Sequence, residues 1–248
     1  MNCIVKVSFS FILILSATKT KAQFAANGYE VGIHAGTLIY QGDLSEGAIG
    51  NYRLIKPAIG IFVGKSFDNY FSARVNLTRG KILADESLIS DPEWRQQRGF
   101  SFQSSVTELL ATLHYHLLGR TSATNYSRFS PYVFAGAGIS FLNSRRDYSK
   151  LNTTVFDPKS DVAIGLAVDI EKNPPRLLPV IPLGAGLQYS LSPRLALNGE
   201  ATYRFTASDY LDGFKYAANP GKKDSYYGVS VGLSYSLGKN RYNCPKAW

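Results

Sequence analysis

Large apolar residues alternate with small or polar ones along most of the chain, which is the period-2 pattern of β-strands with two different faces. The clearest run is "YYGVSVGLSYSL", where tyrosine, valine and leucine alternate with glycine and serine. Seven earlier runs show the same pattern. The eight runs are Tyr29–Tyr40, Lys56–Lys65, Phe71–Ile82, Ser105–Leu118, Pro131–Leu142, Ile181–Leu191, Arg194–Phe205 and Tyr226–Leu237. The sequence therefore predicts an all-β fold with eight strands.

The composition of the two faces indicates which one meets solvent or lipid. The second face is rich in glycine and small polar residues and carries only single charges, whereas a water-facing surface usually carries more lysine and glutamate. A narrow eight-stranded lumen suits glycine, serine and a few paired charges. Aromatic residues fall near the strand ends, where interfacial girdles lie. They are Tyr29, Phe71, Tyr115, Phe141, Tyr189, Tyr203, Phe205 and Tyr227. We predict an eight-stranded antiparallel transmembrane β-barrel of outer-membrane, OmpA-like type; a soluble exported barrel is the alternative.

The lengths of the connections support the membrane barrel independently. Tight turns follow the second and sixth strands, and "GRTSATNYSRFS" after the fourth is of moderate length. The other connections, at about 41–55, 83–104, 143–180 and 206–225, are longer. Outer-membrane barrels alternate short periplasmic turns with long outer loops in this way. With eight strands, both termini are expected in the periplasm.

One segment of the longest loop has several interpretations. "DVAIGLAVDI", Asp161–Ile170, also alternates and can be an arm of an outer hairpin, an apolar segment over the barrel mouth, or an extra strand. We favour a loop element, because an odd ninth strand would move the C-terminus outside. The prolines of "NPPRLLPVIP" remove ladder donors and are predicted to delay the sixth strand until about Pro182.

Residues 1–22 are predicted to be a signal peptide. They contain an early Lys6, an apolar run too short to span a membrane, and small residues before a cut at Gln23. The barrel domain is then 23–248, with strands at about 28–238 and a periplasmic tail at 239–248.

Removal of Lys6, Lys19 and Lys21 with the signal peptide lowers the formal net charge from +9 to +6. This modest basic excess indicates a solvated surface or one that faces acidic glycolipid. No basic run with interleaved aromatics predicts nucleic-acid binding.

Three histidines raise the possibility of catalysis in the lumen. The alternation directs His34, His114 and His116 inward, with Glu108 on the same strand and face as the last two. Together with a lumen serine they would resemble a hydrolase site. The interpretation we favour is a polar network whose members satisfy one another in a dry interior. Its predicted members are Glu30, His34, Arg74, Glu108, His114, His116, Glu200 and Arg204.

No metal or cofactor motif is recognisable. Asp209-x-x-Asp212-Gly213 lacks the spacing of a calcium loop, and no histidine or cysteine cluster predicts zinc. Asp43 in "YQGDL" has the character of a turn former. After cleavage of the leader, Cys244 is the single cysteine, so no internal disulfide is expected. We therefore expect no enzyme activity, no cofactor, no metal and no small-molecule substrate.

Several segments resemble a known family. These are "YEVGIHAGTLIYQGDL", "SPYVFAGAGISF", "IPLGAGLQYSLSPRLALNGEATYRFTASDYLDGF" and a late "NCP". They are similar to the small outer-membrane barrel family of Bacteroidetes that includes PorG, a component of the type IX secretion system. The run from Arg204 to Asp212 is the most specific, followed by "GDL" after the first strand. The motif residues are Asp43, Asp209, Tyr210, Leu211 and Asp212.

The resemblance implies a non-enzymatic subunit or anchor embedded in outer-membrane lipid. It implies contact with the periplasmic ring of the secretion machine, which consists of a lipoprotein and its partner, and it assigns no catalytic residues. The loop at 143–180 departs from the resemblance. It motivates the alternative of a stand-alone OmpA-like barrel that has a structural role or binds a surface molecule with its outer loops.

Overall fold

A computed structural model describes residues 28–45, 50, 52–89, 91–120, 127–206, 211–218 and 224–237. Within them, eight antiparallel strands follow one another around a closed barrel, and β8 pairs back onto β1. The strands are β1 Gly28–Gln41, β2 Lys56–Ser66, β3 Phe71–Asp85, β4 Ser101–His116, β5 Phe129–Asp147, β6 Leu177–Ser190, β7 Leu195–Thr206 and β8 Ser225–Leu237. The predicted fold class is confirmed. The predicted signal peptide, the tail at 239–248 and Cys244 lie outside the described residues.

The strands expose a largely apolar face, and their inward face combines buried polar side chains with an apolar core. Ile59 is 66% exposed on the outside, whereas Glu108 is fully buried inside. The girdle residues predicted from the sequence point outward, and Tyr29, Phe71, Tyr115, Phe141 and Phe205 are all exposed. A soluble barrel would expose a polar face to water, so the exposure of large apolar side chains is that of an outer-membrane barrel.

The connections separate into two groups at opposite ends. Those at 67–70, 117–128 and 191–194 lie at what we call the short-loop end. Those at 42–55, 86–100, 148–176 and 207–224 lie at the long-loop end. The long connections carry two short 3-10 helices, 52–54 and Glu86–Leu88, and the helices α1, Glu93–Arg98, and α2, Asp161–Glu171. Neither α1 nor α2, nor any other helix among the described residues, has the length and hydropathy needed to cross a membrane.

Strand β6 begins earlier than the prolines predicted. It starts at Leu177 and includes Pro179 and Pro182. A strand residue donates its N–H to only one of its two neighbours, so each proline removes a single bond. Pairing with β5 is interrupted between Gly138–Val180 and Ala135–Leu183, while pairing with β7 runs without a break from Val180. The strand therefore tolerates both prolines.

The segment Asp161–Ile170 forms α2, so none of the strand or hairpin interpretations is correct. Ser160 caps the helix, with its Oγ accepting from the Ala163 N–H at 3.3 Å, and Asp161 lies in the first turn. Gly165, Leu166 and Asp169 form the buried side of the helix. A closed barrel has no free strand edge, and a ninth strand would have had no partner. The interpretation as a loop element over the barrel mouth agrees with this position.

Candidate functional site

Arg74 organises the lumen in its short-loop half. Its Nε donates to Glu30 Oε1 at 2.7 Å and its Nη1 donates to Glu200 Oε1 at 2.8 Å. Glu200 also accepts from Tyr132 Oη at 2.6 Å. The guanidinium lies 4.6 Å from the centre of the Phe62 ring. The buried charges are thus paired, as a dry interior requires.

Arg120 closes this network from the short-loop end. It lies in the 117–128 connection, yet its side chain is buried. Its guanidinium donates to Glu30 Oε2 at 2.5 Å and also to the Ser66 hydroxyl. The sequence analysis missed Arg120, because a basic residue in a polar turn has no local feature that distinguishes it from a solvated one.

A second network lies around Glu108, beside the apolar side chains that occupy much of the long-loop half of the lumen. Its carboxylate accepts from Arg204 Nε at 2.9 Å and from Tyr226 Oη at 2.5 Å. Ser140 Oγ lies 2.7 Å from Tyr226 Oη. The interior of an eight-stranded barrel is just wide enough for side chains, and here charged and aromatic groups occupy it in both halves.

The three histidines lie inside the barrel but do not share one partner. His34 Nε2 contacts Thr78 Oγ1 at 3.1 Å, and His114 Nε2 contacts Thr112 Oγ1 at 2.9 Å. His116 Nδ1 lies 2.8 Å from Ser130 Oγ. The structure therefore brings a histidine and a serine together. The carboxylate of the hypothetical hydrolase site, Glu108, is instead engaged by Arg204 and Tyr226. All eight residues predicted for the lumen network lie on the inward face.

The long connections meet in a buried cluster over the barrel mouth, which we call the cap. At its centre, Tyr40 Oη lies between Asp212 Oδ2 at 2.8 Å and Asp224 Oδ1 at 2.5 Å. Asp212 Oδ1 accepts from the Phe214 N–H at 2.8 Å, and Asp224 Oδ2 accepts from the Leu211 N–H at 3.1 Å. Both carboxyl groups are buried.

The contacts of Tyr40 require one further proton. A phenol has a single O–H, so it donates to one carboxylate and must accept from the other carboxyl group, which is then protonated. Burial and the neighbouring charge of Asp224 raise the pKa of Asp212 well above its ordinary value. A neutral Asp212 that donates to Tyr40, which in turn donates to Asp224, fits the geometry.

Gly42 allows this approach. A Cβ at this position would overlap the carboxylate of Asp224 and the hydroxyl of Tyr40. The turn that follows is closed by the Ser45 N–H, which donates to the Gly42 carbonyl at 3.1 Å, and Asp43 lies within that turn. The segments that carry the family resemblance, "YQGDL" and "LDGF", therefore meet in the cap. The motif residues Asp209 and Tyr210 lie outside the described residues.

A buried glutamate and two arginines of the 86–100 connection join the cap to its neighbours. Glu86 accepts from Arg98 Nε at 2.8 Å and from Arg95 Nε at 3.0 Å. Arg95 Nη1 also donates to the Ser45 carbonyl at 2.8 Å, and Arg98 Nη1 donates to the Ala217 carbonyl at 3.1 Å. Three of the four long connections are held together by this cluster.

Aromatic stacking reinforces the same junction. The rings of Phe100 and Phe214 lie 4.6 Å apart and nearly parallel, with 7° between their planes. Both side chains are fully buried and belong to the apolar core that continues from the long-loop half of the lumen into the cap. The contact joins the 86–100 connection to the 211–218 segment.

Helix α2 ties the fourth connection to the cap. Asp169 Oδ2 accepts the backbone N–H groups of Lys215, Tyr216 and Ala217 at 3.1, 2.9 and 2.9 Å. Gly165 lets the helix approach the Tyr216 carbonyl, where a Cβ would overlap it. Arg146 Nη1 donates to the carbonyls of Asp169 and Gly213 at 2.6 and 2.9 Å.

Sequence reasoning missed most of the charged residues of the cap, namely Glu86, Arg95, Arg98, Arg146, Asp169 and Asp224. The sequence contained one weak signal for these residues. Asp169 interrupts an apolar run, which is typical of a buried side chain that accepts hydrogen bonds. Across the described ranges, no group of three or more His, Cys, Asp or Glu side chains is placed to hold a metal ion. The arrangement is suited to holding loops together.

The barrel is similar to several solved outer-membrane proteins. Ail, the attachment invasion locus protein of Yersinia pestis, is 13% identical over 85% of this chain and 99% of its own, with a TM-score of 0.45. OprG from Pseudomonas aeruginosa is 12% identical over 86% and 96% of the two chains, with a TM-score of 0.44. Neisserial surface protein A is 13% identical over 84% and 96%, with a TM-score of 0.42.

No curated protein sequence matches the chain. The sequence profile of one family covers nearly its whole length, from the predicted leader to the predicted tail, at residues 6–246. That family is described as a domain of unknown function, DUF6089, and the chain belongs to it.

Proposed function

We propose that this protein is an integral outer-membrane barrel that serves as a non-enzymatic subunit or anchor of a type IX protein secretion assembly and contacts its periplasmic ring. One observation supports the role of an anchor, namely that the barrel is closed by its own side chains and loops. Ion pairs and apolar side chains together fill the lumen, and four connections interlock over one mouth. A barrel closed in this way is suited to holding a neighbouring protein in place and is not suited to the diffusion of solutes through its lumen.

The secretion assembly itself comes from the resemblance of the sequence motifs. In the structure, Asp212, which ends the most specific motif, contacts Tyr40 in the cap, and Tyr40 lies two residues before the "GDL" motif. A requirement to keep the cap folded is a physical reason for both motifs to be present. We propose that the long-loop end faces outward and that both termini are periplasmic. The short-loop end, with the connections 67–70, 117–128 and 191–194, then faces the ring.

A site-specific crosslinking experiment tests the proposed contact. A photoreactive amino acid replaces Asn69 or Pro193, which lie in short-loop connections, or Thr154, which lies in a long-loop connection and serves as the matched control. After irradiation of intact cells, Asn69 or Pro193 is expected to crosslink to the ring lipoprotein or its partner, and Thr154 is not. Mass spectrometry identifies the products. Normal export of the system's cargo in a deletion strain would refute the secretion role.

A second candidate is a stand-alone OmpA-like barrel that binds a surface molecule. It is favoured by α2, which leaves Ile164, Val168 and Ile170 exposed beside the cap. Affinity purification of the native protein that yields no ring protein, together with intact export, would favour this candidate over the anchor.

The non-enzymatic part of the proposal has its own test. The contact of His116 with Ser130 is the pair on which a hydrolase would rest. Ser130→Ala removes the hydroxyl without changing any charge in the lumen. The membrane lipid composition is expected to be identical in the wild type, the variant and the deletion strain. A lipid species that accumulates in both mutants would contradict the proposal.

A further inference from the structure

The outer wall of the barrel contains an apolar groove of about 680 Å³. It forms because Ala35 of β1 is small, whereas the outward residues on the neighbouring strands are large. At one end the groove reaches Arg79 of β3. Its apolar lining on the outward face consists of Ile33, Ala35, Ile59, Ile61, Leu77, Leu197, Val231 and Leu233.

Arg79 lies at the end of this groove that faces the long loops, and a second cation, Lys81, follows it two residues farther along β3. Arg79 and Lys81 are both exposed on the outward face of β3. Their neighbours on β4 are Thr107, opposite Arg79, and Ser105, opposite Lys81. On the outward faces of β2, β3 and β4, the one acidic residue in the described chain is Asp85, at the far end of β3, and Lys150 Nζ contacts it at 3.3 Å. Neither Arg79 nor Lys81 forms an ion pair within the described residues.

The depth of these cations indicates what they meet. Arg79 lies eight residues along β3 from Phe71, the exposed girdle residue at the short-loop end of that strand. At about 3.4 Å per residue and a tilt of about 40°, this distance is about 21 Å across an apolar band about 25 Å tall, so Arg79 and Lys81 lie near the girdle level of the long-loop end. Girdle residues mark the level of the lipid headgroups. A cation on the lipid-facing wall is unfavourable in hydrocarbon but well placed beside an anionic headgroup, to which arginine donates charge-assisted hydrogen bonds.

Beyond the cations, the outward faces of β4 and β5 are polar, whereas β3 continues with Leu83. Continuing from Lys81 toward the long loops, the outward face presents Ser105, Gln103 and Asn143, followed by Arg145. Such hydroxyl, amide and guanidinium groups can donate hydrogen bonds to sugars above a phosphate. A simple phospholipid headgroup would leave these side chains without lipid contacts.

We propose that the groove binds one phosphorylated glycolipid of the leaflet at the long-loop end. An acyl chain lies along Ala35, the phosphate contacts Arg79 and Lys81, and the sugars contact Ser105 and Asn143. From the proposed function this inference takes only the orientation of the barrel. It does not depend on the secretion assembly.

Native mass spectrometry of the full mature protein, released from detergent micelles, tests the proposal. The probes are monophosphoryl lipid A, the same lipid without its phosphate, and phosphatidylglycerol. One copy of monophosphoryl lipid A is expected to bind in preference to both others. The double variant Arg79→Gln/Lys81→Gln is expected to weaken this binding by roughly tenfold or more. Ala35→Phe, which fills the groove without changing charge, is expected to weaken it as well.

Lys159→Gln, which removes one positive charge from an exposed loop position, is the matched control and is expected to bind like the wild type. Equal binding of phosphatidylglycerol, or unchanged binding in the double variant, would overturn the proposal. If the double variant does not fold, Lys81→Gln alone decides the outcome. Loss of cargo export with intact lipid binding, or the reverse, separates this inference from the proposed function.

Discussion

Replacing Asp212 by asparagine and, separately, by alanine tests the protonated carboxyl group in the cap. Asparagine keeps the shape of a neutral aspartic acid. Its carbonyl can accept from the Phe214 N–H, and its amide can donate to Tyr40 Oη. Alanine removes both contacts. If Asp212 is neutral in the folded cap, the asparagine variant is expected to keep the cap closed and the alanine variant to loosen it.

The size of the alanine effect follows from the contacts. The Phe214 N–H is buried and would lose its acceptor, and an unsatisfied buried donor costs about 1–3 kcal/mol. The asparagine variant leaves no such group, so its cap should be within about 0.5 kcal/mol of the wild type at neutral pH.

The raised pKa of Asp212 also predicts a pH dependence. In the folded cap the proton is retained to a higher pH than in the opened cap, where the group titrates near its ordinary value of 3.8. Between these two pKa values the closed cap holds one more proton than the open one. The free energy of opening therefore falls by up to about 1.4 kcal/mol per pH unit as the pH rises through this window. The stabilisation is complete below the lower pKa and lost above the raised one.

Hydrogen–deuterium exchange of the peptide covering 211–218 measures the opening, after correction for the intrinsic dependence of amide exchange on pH. The wild type is expected to lose protection as the pH rises, and Asp212→Asn is expected to show a flatter profile. Glu171→Gln, at an exposed position at the C-terminal end of α2, is the control and should keep the wild-type profile. If Asp212→Asn loosens the cap as much as Asp212→Ala at neutral pH, Asp212 is ionised there and the reasoning is wrong.

Three further substitutions test the cap and can be compared by resistance to proteolysis at the long-loop end. Phe214→Ala removes the ring stacked on Phe100 and is expected to cost about 3–5 kcal/mol of cap stability; protease resistance equal to the wild type would contradict the packing argument. Glu86→Gln leaves the buried guanidinium of Arg98 and the partly buried one of Arg95 without their carboxylate and should cost about 3–5 kcal/mol, with little effect of added salt; strong rescue by salt would show that the pair is exposed. Gly42→Ala places a methyl group against Asp224 and Tyr40, so the cap should open while the barrel still folds in detergent; an unchanged cap would rule out the close approach.

Much of the barrel could be predicted from the sequence because its determinants are local. In β8, Val229, Val231 and Leu233 alternate with glycine and serine, and adjacent residues of a strand necessarily face opposite sides. The alternation thus assigned the two faces, the strand number and the inward direction of Glu108 and His116. The prolines at 179 and 182 misled the prediction of a boundary, because their local cost was outweighed by the pairing of β6 with β7.

Helix α2 shows the limit of the periodicity argument. Its apolar residues alternate over a short run, and such a run is compatible with a strand or a helix until its surroundings are known. The closed barrel leaves no edge for another strand. The buried positions Gly165, Leu166 and Asp169 instead match the contacts that a helix makes with the 211–218 segment.

The sequence by itself determined the class of protein, through alternation, glycine content and the lengths of the loops. Only the tertiary structure decided the partners of the charged residues. Closure of β8 onto β1 pairs Gln41 with Ser225, which brings Gly42 beside Asp224 across more than half the chain. No local pattern encodes that proximity, because it depends on the register of a whole barrel. Asp212 is an example. The sequence identified it as part of a motif, but only the fold showed that it shares Tyr40 with a second buried acid.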